Sequence, residues 1–280
     1  MSIILSILTL PLLFSSPKKL ACEPQQKTLR KKGIEVKIES YQSFVSGDPI
    51  VIFPPTGGKN KLDQLYAKGL CSKGRKVVIM EEWTGYGTKK TDLGVHNRYY
   101  RNAVNALKLV HKEELAGKEF GVLGTSLGGI FTAISLHQIP QINKAFIIAS
   151  GIDLPEMIVT SRHNDMKDLK TFRLKTYKFS SEREYIKALR KEIPLEPTNN
   201  PIDFKSKKLG QYIIAGDQIV PERNQIKLND LWKPDLVRKL EPSLISKLNG
   251  KTHKSGIIKA YFHYSNEVIN FFLTDKKRKR

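Results

Sequence analysis

Short apolar runs separated by polar, helix-like stretches organise this chain. Pro49–Phe53, Arg75–Met80, Phe120–Leu123, Lys144–Ala149 and Gln211–Ala215 are almost continuously apolar. Runs of this length and composition predict strands buried on both faces. Gly33–Glu39 alternates apolar and polar residues, which predicts an edge strand, and Leu244–Leu248 reads as the last strand. Between them, Lys61–Ser72, Asn97–Glu114 and the segment from Leu127 onward carry apolar residues at helical spacing, and Asn266–Leu273 reads as a closing helix. Buried strands alternating with helices predict an α/β fold: a mostly parallel sheet with helices on both faces.

In such sheets the functional loops lie at the carboxyl ends of the strands. One turn there stands out. Gly124-Thr125-Ser126-Leu127-Gly128 joins a predicted strand to a predicted helix and has the G-x-S-x-G pattern of a nucleophile elbow. A turn this tight forces Ser126 into a strained backbone conformation and lifts its hydroxyl clear of the sheet. A side chain at 124 or 128 would crowd it, hence Gly124 and Gly128. The following helix aims its positive end at the place where an oxyanion would form.

Composition narrows the picture. With 280 residues, 40% hydrophobic and 27% charged, the chain suits one globular α/β domain with an insertion. The formal net charge of +21 comes from lysines spread along the whole chain. It reads either as a solvated lysine-rich surface or as attraction to an anionic partner such as a membrane surface. No nucleic-acid motif is present, so nucleic acid is not an expected partner. No Cys/His cluster has zinc spacing, so no metal site is expected.

Residues 1–21 read as a leader. Ile3–Phe14 is apolar over the length of a signal-peptide core, and too short to span a bilayer comfortably. Export to the periplasm or beyond is the favoured reading, with an uncleaved membrane tether or an ordinary N-terminal element as alternatives. In an exported chain Cys22 and Cys71 could pair. The bland reading, slightly preferred, is that Cys71 is a small core residue and Cys22 is free or removed. Residues 276–280, Lys-Lys-Arg-Lys-Arg, read as a solvated tail of the domain at 22–280.

From about residue 45 to 275 the chain resembles the α/β-hydrolase superfamily of esterases, lipases and thioesterases. The order of that family is nucleophile, acid, base. The resemblance implies Ser126 as nucleophile and Asp217, in Gly216-Asp217-Gln218-Ile219-Val220-Pro221, as the acid, with Asp153 as the alternative. The plain reading of Asp217 is an Asx turn closing a strand. His253, placed after the expected last strand, is the implied base, and His263 is the alternative. His96 and His111 are expected on the surface or ends of the preceding helix.

Leu127 N–H and an N–H of Thr56 or Gly57, in Pro54-Pro55-Thr56-Gly57-Gly58, would form the oxyanion hole. This loop departs from the family's usual His-Gly pair. Glu82-Trp83-Thr84-Gly85-Tyr86-Gly87 resembles a supporting turn that lines the site through Trp83 or Tyr86. Residues 155–209 would form a small helical cap over the pocket.

The implied activity is cleavage of a carboxylic ester or thioester through an acyl-enzyme, without cofactor. The substrate would be a small-molecule or lipid-like ester. Two alternatives stand: an acyltransferase on the same scaffold, and a non-catalytic protein that binds an anionic surface. The oligomeric state is not legible from these residues.

Overall fold

The computed structural model describes residues 22–43, 47–84, 92–199 and 204–274. The expected leader at 1–21, the expected tail at 276–280 and Gly85, Tyr86 and Gly87 lie outside the described residues.

Eight strands form one sheet: β1 (Pro24–Lys31), β2 (Ile34–Tyr41), β3 (Ile50–Phe53), β4 (Val77–Trp83), β5 (Phe120–Thr125), β6 (Ile142–Ile148), β7 (Lys208–Ile214) and β8 (Leu236–Leu240). Their spatial order is β1-β2-β4-β3-β5-β6-β7-β8. Strands β3 to β8 run parallel to one another, whereas β2 is antiparallel to both β1 and β4.

Apolar runs become central strands here because both faces are covered. Val51 and Phe53 of β3, Val122 of β5 and Ala145 and Ile147 of β6 enter one core. Ile50 and Ile52, Leu123, and Phe146 and Ile148 of the same strands enter the other. This is the period of two expected of a pleated strand. Helices α1 (Lys61–Ser72) and α9 (Thr252–Leu273) cover one face, contributing Tyr66, Leu70, Val268 and Phe272. Helices α2 (Val95–Glu113), α3 (Leu127–Gln138) and α7 (Glu222–Trp232) cover the other, with Leu107, Phe131 and Leu228.

Between β6 and β7 lie α4 (Leu154–Thr160), α5 (Asn164–Thr176) and α6 (Glu182–Glu192), within the stretch expected to form a cap. Arg173 of α5 is fully buried and binds this segment to the start of α2. Its Nη1 donates to His96 Nε2 at 2.9 Å and to Tyr185 Oη at 2.9 Å, and its Nη2 donates to the Asp92 carbonyl at 2.7 Å.

Four expectations are corrected. Ile34–Glu39 belongs to β2, which is not the edge: β1 pairs with all of β2 from outside. Leu244–Leu248 is a short helix, α8, with no buried residue, capped by Ser243 whose Oγ accepts from the Ser246 N–H at 3.2 Å. The last strand is instead Leu236–Leu240. The closing helix begins at Thr252, well before Asn266. Finally, Cys22 and Cys71 form a disulfide with Cα atoms 5.6 Å apart, tying β1 to the end of α1, so Cys71 is not a free core thiol.

Candidate functional site

The central strands end on one rim of the sheet, and the side chains of interest meet there. Ser126 follows β5 directly, with φ 54° and ψ −118°. A positive φ in a residue with a Cβ costs roughly 1–3 kcal/mol and persists only where the surroundings impose it. The surroundings here are two glycines. A Cβ on Gly124 would lie 2.4 Å from the Gly128 carbonyl oxygen, and one on Gly128 would lie 2.0 Å from the Phe53 carbonyl oxygen. The first turn of α3 therefore packs directly on the ends of β5 and β3.

Ser126 is 5% exposed, with its hydroxyl turned toward α9. His253 Nε2 lies 2.9 Å from Ser126 Oγ, and His253 Nδ1 lies 2.6 Å from Asp217 Oδ2. Nδ1 therefore carries the proton and donates to the carboxylate, which leaves Nε2 free to accept from the serine. His253 comes from the first turn of α9 rather than from a loop after a strand. That turn is fastened beside the acid by Thr252 Oγ1, which donates to the Gly216 carbonyl at 3.2 Å.

Asp217 follows β7 and is 4% exposed. Its Oδ1 accepts from the Ile219 N–H at 2.9 Å and the Val220 N–H at 3.2 Å. The Asx turn and the contact with His253 thus coexist, one on each carboxylate oxygen. Gln225 of α7, which sequence reasoning missed, donates through Nε2 to Asp217 Oδ2 at 3.0 Å and to the Val220 carbonyl at 2.8 Å. Its Oε1 accepts from the Ile214 N–H at 2.9 Å. The available signal was a glutamine on the buried stripe of α7, three and seven residues before Leu228 and Trp232.

The remaining candidates fall in two groups. Leu127 is the first residue of α3, so its N–H has no carbonyl four residues back to bond within the helix. Thr56 and Gly57 stand on the loop after β3, the strand paired with β5, and Thr56 and Leu127 both line the cavity at Ser126. Asp153 and His263 lie elsewhere. The Asp153 carboxylate is engaged by Lys227 Nζ at 2.6 Å and Arg190 Nη2 at 3.2 Å. His263 is exposed on α9, packed on Tyr264.

Two hollows flank Thr56, Tyr99 and Leu127. One of about 170 Å³ opens on Ser126 and is walled by Tyr100, Ile130, Met157, Ile158 and Val220. The second, about 820 Å³, lies over Pro54, Gly57, Lys59, Trp83 and Phe131. His96 stands in the first turn of α2, at the helix end as expected, and lines the smaller hollow beneath the cap. Burial and the adjacent Arg173 charge push its imidazole down to about 3, so it stays neutral. Among the described residues no cluster of His, Cys, Asp and Glu could hold a metal ion. None of their helices is long and apolar enough to cross a membrane.

No family model matches this sequence, and no curated protein does. Solved structures do resemble it. An esterase of Pyrococcus furiosus superposes with a TM-score of 0.54 at 14% identity, covering 92% of this chain and 95% of its own. An α/β-hydrolase-fold protein of Chitinophaga pinensis gives 0.54 at 16%, covering 91% and 99%. An acylaminoacyl peptidase of Pyrococcus horikoshii gives 0.59 at 14%, covering 94% of this chain but 43% of that longer one.

Proposed function

We propose that this chain, which has the α/β-hydrolase fold, is a serine hydrolase that cleaves carboxylic esters through an acyl-enzyme. The observation that carries the reading is the unbroken contact from Asp217 through His253 to Ser126, at 2.6 and 2.9 Å. A serine hydroxyl is too weak an acid to attack a carbonyl unaided, and a histidine oriented by a buried carboxylate supplies the base.

In this reading Ser126 Oγ bonds to the carbonyl carbon while its proton passes to His253 Nε2. Asp217 stabilises the resulting imidazolium. The carbonyl oxygen becomes an oxyanion held by Leu127 N–H and an N–H of Thr56 or Gly57. His253 then returns the proton to the departing alkoxide as the tetrahedral intermediate collapses to the acyl-enzyme. Water repeats the sequence and releases the acid.

The hollow at Ser126 favours a short acyl group. It measures about 170 Å³ against about 820 Å³ for the neighbouring hollow, and its walls are mostly apolar. The larger hollow beyond Thr56 and Leu127 suits the alcohol portion. The Cys22–Cys71 disulfide fits an oxidising compartment, in keeping with export.

The test is a series of p-nitrophenyl esters of rising acyl length, with intact-mass detection of the acylated protein. Turnover highest for short chains, with the added mass at Ser126, supports the reading. A folded protein that neither hydrolyses any ester nor acquires the mass overturns it.

A further inference from the structure

The five residues of α8 (Leu244–Leu248) include three aliphatic side chains, and all three face solvent. Leu244 is 72% exposed, Ile245 71% and Leu248 78%. Leu244 and Leu248 are four apart and share a helix face with Ile245 beside them. Single exposed aliphatics are unremarkable on a protein surface, but a cluster on one turn marks a contact surface. The turn is well formed, since Ser243 caps it and the Lys251 N–H bonds the Ser246 carbonyl at 2.9 Å.

A second apolar pair stands close by. Ile258 and Phe262 are four residues apart on α9, with Phe262 69% exposed. Lys259 lies between them on the helix surface and reaches the Glu241 carbonyl at 2.8 Å, two residues before the cap of α8. The two patches therefore occupy the same side of the molecule.

Charge identifies the occupant. Between Glu241 and Glu267 the sequence has no acidic residue and four lysines: Lys247, Lys251, Lys254 and Lys259. The first three are exposed around α8 and the start of α9, with Lys247 Nζ also 2.7 Å from the Glu241 carboxylate. Exposed aliphatic tips on a segment whose other charged side chains are lysines match a bilayer whose headgroups are anionic and whose interior is apolar. A protein partner offering both features would need an apolar pocket rimmed by carboxylates, whereas an anionic lipid surface supplies them everywhere. The chain's charge of +21 adds long-range attraction of the same sign.

We infer that α8, with the exposed face of α9 around Phe262, is a docking surface for anionic lipid bilayers. Leu244, Ile245 and Leu248 enter the headgroup boundary while Lys247, Lys251 and Lys254 contact lipid phosphates. Docking this way brings the first turn of α9, and hence His253, to the membrane side of the protein. The inference stands whether or not Ser126 is catalytic, because it concerns binding.

The experiment is co-sedimentation of the full chain with vesicles of phosphatidylcholine containing phosphatidylglycerol, and with phosphatidylcholine alone. A triple variant carries Leu244→Gln, Ile245→Gln and Leu248→Gln. Since α8 buries none of its residues, this variant keeps the fold, which a melting curve checks. The expected result is retention on anionic vesicles that falls about tenfold or more in the triple variant. Replacing Lys247, Lys251 and Lys254 by glutamine abolishes the preference for anionic vesicles. Equal retention of parent and triple variant, or no retention of the parent, overturns the inference. So does a triple variant that turns an oligomeric parent into a monomer, because α8 would then be a contact between copies of this chain.

Discussion

Gln225 Nε2 and His253 Nδ1 converge on one oxygen of Asp217, at 3.0 and 2.6 Å. Both contacts restrain the carboxylate, and in the proposed mechanism Gln225 acts as a positioning residue. Replacing it with leucine frees Asp217 Oδ2 to rotate and leaves the Ile214 N–H without its acceptor. We expect kcat toward a short ester to fall about tenfold to a hundredfold with KM little changed, and stability to fall by about 1–3 kcal/mol. A merely structural role would lower the melting temperature and leave kcat of the folded fraction intact. Steady-state kinetics beside a urea melt separates the two.

Met157 and Ile158 close the hollow at Ser126 from the cap side, and both are nearly buried. Met157→Ala lengthens that hollow. The acyl chain giving the highest kcat/KM should become longer by about two to four carbons, while acetate esters lose activity. Stability should fall by about 2–5 kcal/mol, as for other buried large-to-small changes. An unchanged chain-length profile would place the acyl group elsewhere.

Asp63 sits in the first turn of α1, where its Oδ2 accepts from the Asn60 N–H at 3.0 Å. Burial overcomes that hydrogen bond and pushes its carboxyl up to about 7. Between about pH 4 and 7 the folded chain therefore holds a proton that the unfolded chain has released, so stability from this group falls as pH rises through that window. Asp63→Asn keeps an acceptor for Asn60 and removes the ionisation. The parent should lose stability relative to this variant on going from about pH 5 to 8, by an amount on the order of a few kcal/mol. Urea melts of both proteins at the two pH values measure it, and every other titrating group is common to both.

The Cys22–Cys71 bridge spans 49 residues of sequence. Closing a loop of that size lowers the entropy of the unfolded chain enough to stabilise the fold by about 4 kcal/mol in the chain-entropy picture, and measured values run about 2–4. Cys71→Ser should cost that much in a urea melt. In the oxidised parent, alkylation under denaturing, non-reducing conditions should add no mass.

Much of the fold was legible because its central strands are buried on both faces and read as apolar runs. Gly124, Gly128 and the Ile219–Val220 pair after Asp217 marked the turns in the same way, through backbone demands that few sequences meet. The failures share a cause. Pro24–Lys31 is a solvent-exposed outer strand, stabilised by pairing with β2 and by ion pairs such as Lys27 with Glu114, and carries no apolar period. Leu236–Leu240, the opposite edge, is short and carries two charged residues, Arg238 and Lys239. Leu244–Leu248 is an exposed helical turn with three aliphatic side chains, so its composition imitated a buried strand. Gly256 and the aromatic run Tyr261–Tyr264 hid the first half of α9 because neither favours a helix, and packing on the sheet decided there. Gln225 was invisible as a single polar residue whose meaning depends on what lies across from it.

The central claim is that His253 activates Ser126, and labelling by a fluorophosphonate probe tests it most directly. The account predicts that the parent is labelled at Ser126, and that Ser126→Ala and His253→Ala each abolish labelling while keeping their melting temperatures. A well-folded parent that stays unlabelled, or a Ser126→Ala variant labelled as strongly as the parent, would contradict it.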